Sequence, residues 1–98
     1  MQVQIRHDAN VRGDKNGWIE DTVRDALERH GEQITTVEVH LADEDGPKTS
    51  DGAIRCSLEV RIAGLSPLAV TAHGDHVGVA VEAALAKVER QLERARPH

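Results

Sequence analysis

Ninety-eight residues, 39% apolar and 30% charged, describe a single globular domain, residues 1–98, large enough to bury one core without cross-links. No apolar run approaches the roughly 20 residues of a membrane-spanning helix, the N-terminal MQVQIRHDAN lacks the apolar block of a secretory signal, and a lone cysteine excludes an internal disulfide, which fits a reducing cytoplasm. The formal charge of −5 is the wrong sign for a chain that binds nucleic acid with its whole surface, so charge has to be followed region by region.

Gln2 to Arg6 sets Val3 and Ile5 against Gln2, Gln4 and Arg6, the alternation of a first strand. His7 to Gly13 is a polar connection. A helix is expected from about Asn16 to His30, capped by Asp14 or Asn16 and stopped by Gly31. Ile19, Val23, Ala26, Leu27 and His30 form its inward stripe, and Trp18 shields the edge of that stripe. Gln33 to Ala42 predicts a second strand with Val37, Val39 and Leu41 inward. Asp43 to Gly52, four acids against one lysine among turn formers, is a loop. Ala53 to Ala63 is the plainest strand, with Ile54, Cys56, Leu58, Val60 and Ile62 facing one way and Arg55, Ser57, Glu59 and Arg61 the other. Gly64 to Pro67 makes a tight connection, and Leu68 to His73 a fourth strand with Leu68, Val70 and Ala72 inward.

Asp75 to Arg96 closes the chain as a long helix. At about 100° per residue, Val81, Ala84, Leu85, Val88 and Leu92 fall on one stripe, Glu82, Glu89 and Glu93 on one shoulder, and Lys87, Arg90 and Arg94 on the other. The order β-α-β-β-β-α predicts an α+β fold. Three strands joined by short loops form an antiparallel meander, and a helix between the first two strands makes them parallel with a right-handed crossover. One apolar face per element then leads to a two-layer sandwich, a four-stranded mixed sheet with both helices on one face. The other sheet face, with Glu38, His40, Arg55, Glu59 and Arg61, is left to water.

Several side-chain groupings bear on chemistry. Cys56, inward and mid-strand, reads as a small buried hydrophobe rather than a reactive thiol. His73 and His76 flank Asp75 at a strand-to-helix junction, but metal sites ordinarily show tighter ligand spacing; solvated residues, one of them capping the helix, account for them as well. Asp43 to Gly46 resembles half a calcium loop, yet with Gly46 at position six the first and twelfth positions are Leu41 and Gly52, which have no carboxylate. Nothing carries a nucleophile motif or a glycine-rich phosphate loop, so an enzyme is not indicated and no cofactor or small-molecule substrate is called for. Lys87, Arg90 and Arg94, with Gln91 and Arg96 nearby, form a basic ridge. It is either a solvated face held by i,i+4 pairs to residues such as Glu89 or a set of phosphate contacts of modest, salt-sensitive strength. With one aromatic residue in the chain, RNA would be met through backbone and shape rather than by base stacking.

The segments TTVEVHLADEDGPK (Thr35–Lys48), RCSLEVRIAG (Arg55–Gly64) and AVEAALAKVERQLER (Ala80–Arg94), in this order of elements, resemble the ribosome hibernation promoting factors, including the ribosome-associated inhibitor protein Y, in their short form. The resemblance implies a cytoplasmic, non-enzymatic factor, monomeric when free. Such a factor docks on ribosomal RNA of the small ribosomal subunit, occludes the mRNA/tRNA channel, inhibits translation and protects idle ribosomes. Carried over by position, Lys87, Arg90, Gln91 and Arg94 are the RNA contacts on the last helix, and Arg24 and Arg29 those on the first. The first helix here is acidic, with five acids against three bases from Asp14 to His30. The alternative is therefore a protein-interaction module of the same fold that has lost RNA binding and uses its open sheet face or a strand edge. A metal-responsive module built on His73 and His76 is a third reading.

Overall fold

The computed structural model describes residues 1–8, 11, 13–30, 33–44 and 54–95. The acidic loop expected at Asp43–Gly52 lies outside the described residues beyond its first two positions, as do Gly31 and Arg96. The elements run β1 (Gln2–His7), α1 (Asn16–Leu27), β2 (Ile34–Asp43), β3 (Ile54–Ile62), β4 (Leu68–Gly74) and α2 (Val77–Ala95). They form one four-stranded sheet in the order β1-β2-β3-β4. β1 lies parallel to β2, with Val3 beside Val37 and Ile5 beside Val39. β2–β3 and β3–β4 are antiparallel. This is the expected mixed sheet.

The alternation along each strand sorts its side chains. Val37, Val39, Leu41, Cys56, Leu58, Val60, Val70 and Ala72 are buried on one face, where Ile19, Val23 and Leu27 of α1 and Ala80, Val81, Ala84, Leu85 and Val88 of α2 close over them. Among the described residues no polar or charged residue is buried as a whole, although single polar atoms of Asn16 and His30 are. The two helices run in the same direction. Trp18 in the first turn of α1 sits against Gly78 in the first turn of α2, and His30 just past α1 reaches Glu89 midway along α2.

Two details of α1 differ from expectation. Its cap is neither Asp14 nor Asn16: Lys15 occupies that position and makes no capping hydrogen bond. The chain instead enters through a backbone turn, Asn16 N–H to the Gly13 carbonyl at 3.3 Å, which carries Asn16 inside the helix and leaves its Oδ1 buried without a partner. The α-helix also ends at Leu27, and Glu28–His30 tighten into a 3₁₀ turn, a common finish to a last turn.

Gly64, at φ +81°, makes the β3–β4 connection in a conformation that glycine adopts without steric cost. Gly74 matters through space. A Cβ there would stand 2.7 Å from both the Ala80 backbone nitrogen and Val79 Cγ1, so the glycine lets α2 begin directly over the end of β4. Gly74→Ala is expected to cost about 1–3 kcal/mol through overpacking, read as a lower thermal midpoint by circular dichroism.

Candidate nucleic-acid interface

The long closing helix sorts its surface as its periodicity predicts. Val81, Ala84, Leu85 and Val88 are buried and Leu92 is half-buried against the core. The glutamate shoulder turns toward α1, where Glu89 Oε2 lies 3.4 Å from His30 Nε2. The opposite shoulder presents Lys87, Arg90, Gln91 and Arg94, all exposed. With a rise of about 1.5 Å per residue, the three cations span roughly 10 Å of axis. Lys87 Nζ donates a 2.6 Å hydrogen bond to the Thr71 carbonyl, which places the ridge along the outer side of β4. Arg90 and Arg94 have no hydrogen bond or ion pair among the described residues. No α2 glutamate pairs with the ridge there, and Glu89 is engaged across the helix–helix contact.

The sequence profile of the family described as Sigma 54 modulation protein / S30EA ribosomal protein matches residues 2–97. The chain belongs to this family. The resemblance drawn from the strand and helix segments therefore holds, and the S30EA family is one of ribosome-associated factors not known for catalysis. No curated sequence matches the chain. Among solved structures it is similar to the N-terminal domain of Protein Y from Thermus thermophilus, with a TM-score of 0.75, 16% identity, and coverage of 98% of this chain and 100% of that one. It is also similar to a ribosomal subunit interface protein from Coxiella burnetii, with a TM-score of 0.69, 15% identity and coverage of 96% of each chain. At these identities the two structures show the fold.

The other cations of this S30EA member stand elsewhere. Arg24, 34% exposed in its side chain, binds Glu20 Oε2 through Nε at 3.0 Å and donates through Nη1 to the Met1 carbonyl at 2.8 Å, tying the start of β1 to α1. Arg29 Nη2 reaches the Asp25 carbonyl at 3.5 Å. Both belong to α1 and the turn that follows it, whereas Lys87, Arg90, Gln91 and Arg94 stand on α2. On the open sheet face most charges are mutually paired. Arg61 bridges Glu59 (2.9 Å) and Glu38 (3.7 Å), Arg55 meets Glu44 (3.4 Å), and His40 and His73 meet Asp8 and Glu44. Arg6 is exposed on that face with no partner among the described residues. Sequence reasoning missed the Lys87–Thr71 contact, since nothing local in KVERQ signals that a neighbouring strand's carbonyl lies within reach.

Of the histidines considered for metal, His73 is engaged by Glu44 and His76 is exposed. Among the described residues no three histidine, cysteine or acidic side chains converge as a ligand set, nor is any helix long and apolar enough to cross a membrane. Cys56 is fully buried, and burial pushes its thiol from 9.0 up to about 12. A group that the fold keeps neutral supports folding below its unfolded pKa and loses that support as pH rises. Stability is therefore expected to fall from about pH 9 toward pH 12, by at most about 1.4 kcal/mol per pH unit. At pH 8 a thiol reagent should label Cys56 only after denaturant is added; rapid labelling of the native chain would contradict its burial.

Proposed function

We propose that this S30EA family member binds the small ribosomal subunit by laying Lys87, Arg90, Gln91 and Arg94 along ribosomal RNA phosphates. Occupation of the mRNA/tRNA channel would inhibit translation and stabilise idle ribosomes in the cytoplasm, with no cofactor and no small-molecule substrate, the free protein being monomeric. The observation that carries the reading is that Arg90 and Arg94 stand one turn apart, exposed and without partners among the described residues, on an otherwise acidic chain. A guanidinium presents a fork of donors that suits phosphate oxygens, and the Gln91 amide can donate beside it. Such contacts fix position without reading bases. About three phosphate contacts predict a salt slope of roughly −2.1 to −2.7, so raising salt from about 50 to 200 mM should weaken binding roughly 20- to 40-fold. Co-sedimentation with purified small subunits across a salt series tests this. Association that does not respond to salt would remove the phosphate mechanism.

A second reading has one observation in its favour. Asp21, Asp25 and Glu28 are exposed on the α1 side, and no ion pair neutralises their carboxylates among the described residues. A contact made to a protein rather than to RNA would suit that surface. Pull-down of a discrete protein free of ribosomal RNA would favour it.

A further inference from the structure

The two rims of the sheet are finished differently. On the β1 rim Arg6 and His7 are exposed, and the Met1 carbonyl at its start is taken by Arg24. On the β4 rim runs LAVTAHG, seven residues without lysine, arginine, acid or proline. Its register with β3 is unbroken from Ile54–Gly74 to Val60–Leu68. A regular outer strand without lysine, arginine, acid or proline is the form that recruits another strand. Backbone groups alternate along it, so the side of β4 on which Lys87 meets the Thr71 carbonyl also carries the N–H and C=O groups of Ala69 and His73.

Three large apolar side chains are notably exposed among the described residues, and two of them bracket this strand. Leu65, 61% exposed, precedes its start; Val79, 52% exposed, stands over its end beside Gly74. An antiparallel copy of β4 centred on Thr71 would pair Ala69 with His73 of the second copy and His73 with Ala69 of the second copy. It would also bring each Leu65 toward the Val79 end of the other chain, twice over by symmetry. The strand is thus complementary to itself in both backbone and apolar ends. What stands in the way is Lys87. Its ammonium occupies the central carbonyl, and in a continuous eight-stranded sheet both α2 helices would lie on the same face with their basic ridges approaching.

We propose that the β4 edge is a latent pairing surface for a second copy of this chain, held closed by Lys87. Lysine placed over an outer strand is a recognised guard against such pairing; here the guard is also a member of the ridge, so an anion that draws Lys87 away competes with its protective contact. The inference goes beyond the ribosome reading, and its test contains no RNA, so the two can fail separately.

The experiment is sedimentation velocity on the full chain and on Lys87→Met from micromolar to submillimolar concentration, with amide hydrogen exchange on the same samples. Lys87→Met is expected to dimerise at least about tenfold more tightly than the wild type, with the amides of Ala69, Thr71 and His73 newly protected. Lys87→Arg, which keeps a cation over the carbonyl, should remain monomeric, and adding Ala69→Lys to Lys87→Met should restore the monomer. A folded Lys87→Met that stays monomeric throughout would overturn the proposal. So would a dimer without protection at those three amides, a wild-type chain already paired through β4, or a variant that captures only an unrelated strand.

Discussion

Reversal of Arg90 and Arg94 to glutamate should abolish co-sedimentation with small subunits while leaving the thermal midpoint nearly unchanged. Each arginine that meets a phosphate makes a charge-assisted contact worth about 1.5–3 kcal/mol, so losing two costs upward of roughly 100-fold in affinity even before repulsion is counted. The salt slope should flatten by about 1.4–1.8, the share of two phosphates. The fold has little reason to respond. Both side chains are exposed without protein partners among the described residues, and glutamate is about as good a helix former as arginine. Placing acids near the C-terminal end of α2 opposes the helix dipole by only about 0.3–1 kcal/mol each. Sedimentation and circular dichroism on one preparation separate the effects. Undiminished binding by the double variant would take the ridge out of the interface.

Leu58→Ala is expected to produce the largest loss of stability from a single side chain. Leu58 is fully buried on β3, with Val39 of β2 on one side and Val70 of β4 on the other. Truncation leaves a cavity that the surrounding sheet cannot collapse around, at about 2–5 kcal/mol. For a domain of this size that lowers the midpoint by roughly 10–25 °C, a large part of a total stability of about 5–15 kcal/mol. The next residue gives the contrast. Glu59 faces outward and shares Arg61 with Glu38 in an exposed cluster, so Glu59→Ala should stay within about 1 kcal/mol. Equal effects at the two positions would contradict the two-faced strand.

What could be read from the sequence tracks what is local. Strict alternation from Ile54 to Ile62 fixed both the existence of β3 and its buried side, and the 3.6-residue stripe of α2 placed its charges on their proper shoulders. Boundaries moved by a residue or two where strand pairing, not propensity, ends an element, as at Asp43 and Gly74. The helix cap was misjudged because Asp14 and Asn16 are both acceptable capping residues, and the tight turn from Gly13 decided between alternatives that composition cannot rank. The interface was harder to foresee. The Glu20–Arg24 pair, four residues apart on one helix, is implicit in the chain. The engagement of Glu89 by His30, of Arg24 by Met1 and of Lys87 by Thr71 joins residues 59, 23 and 16 positions apart. Those three long-range contacts determine which cations remain available to a partner, so sequence spacing alone could name the ridge but not its free members.

The contact of Trp18 with Gly78 makes the molecule its own reporter. There is no other tryptophan and no tyrosine or phenylalanine, so near-ultraviolet emission comes from a single indole that is 42% exposed and seated where the two helices begin. A shift in its wavelength or quenching would register any parting of that junction, without a label and without background from the rest of the chain.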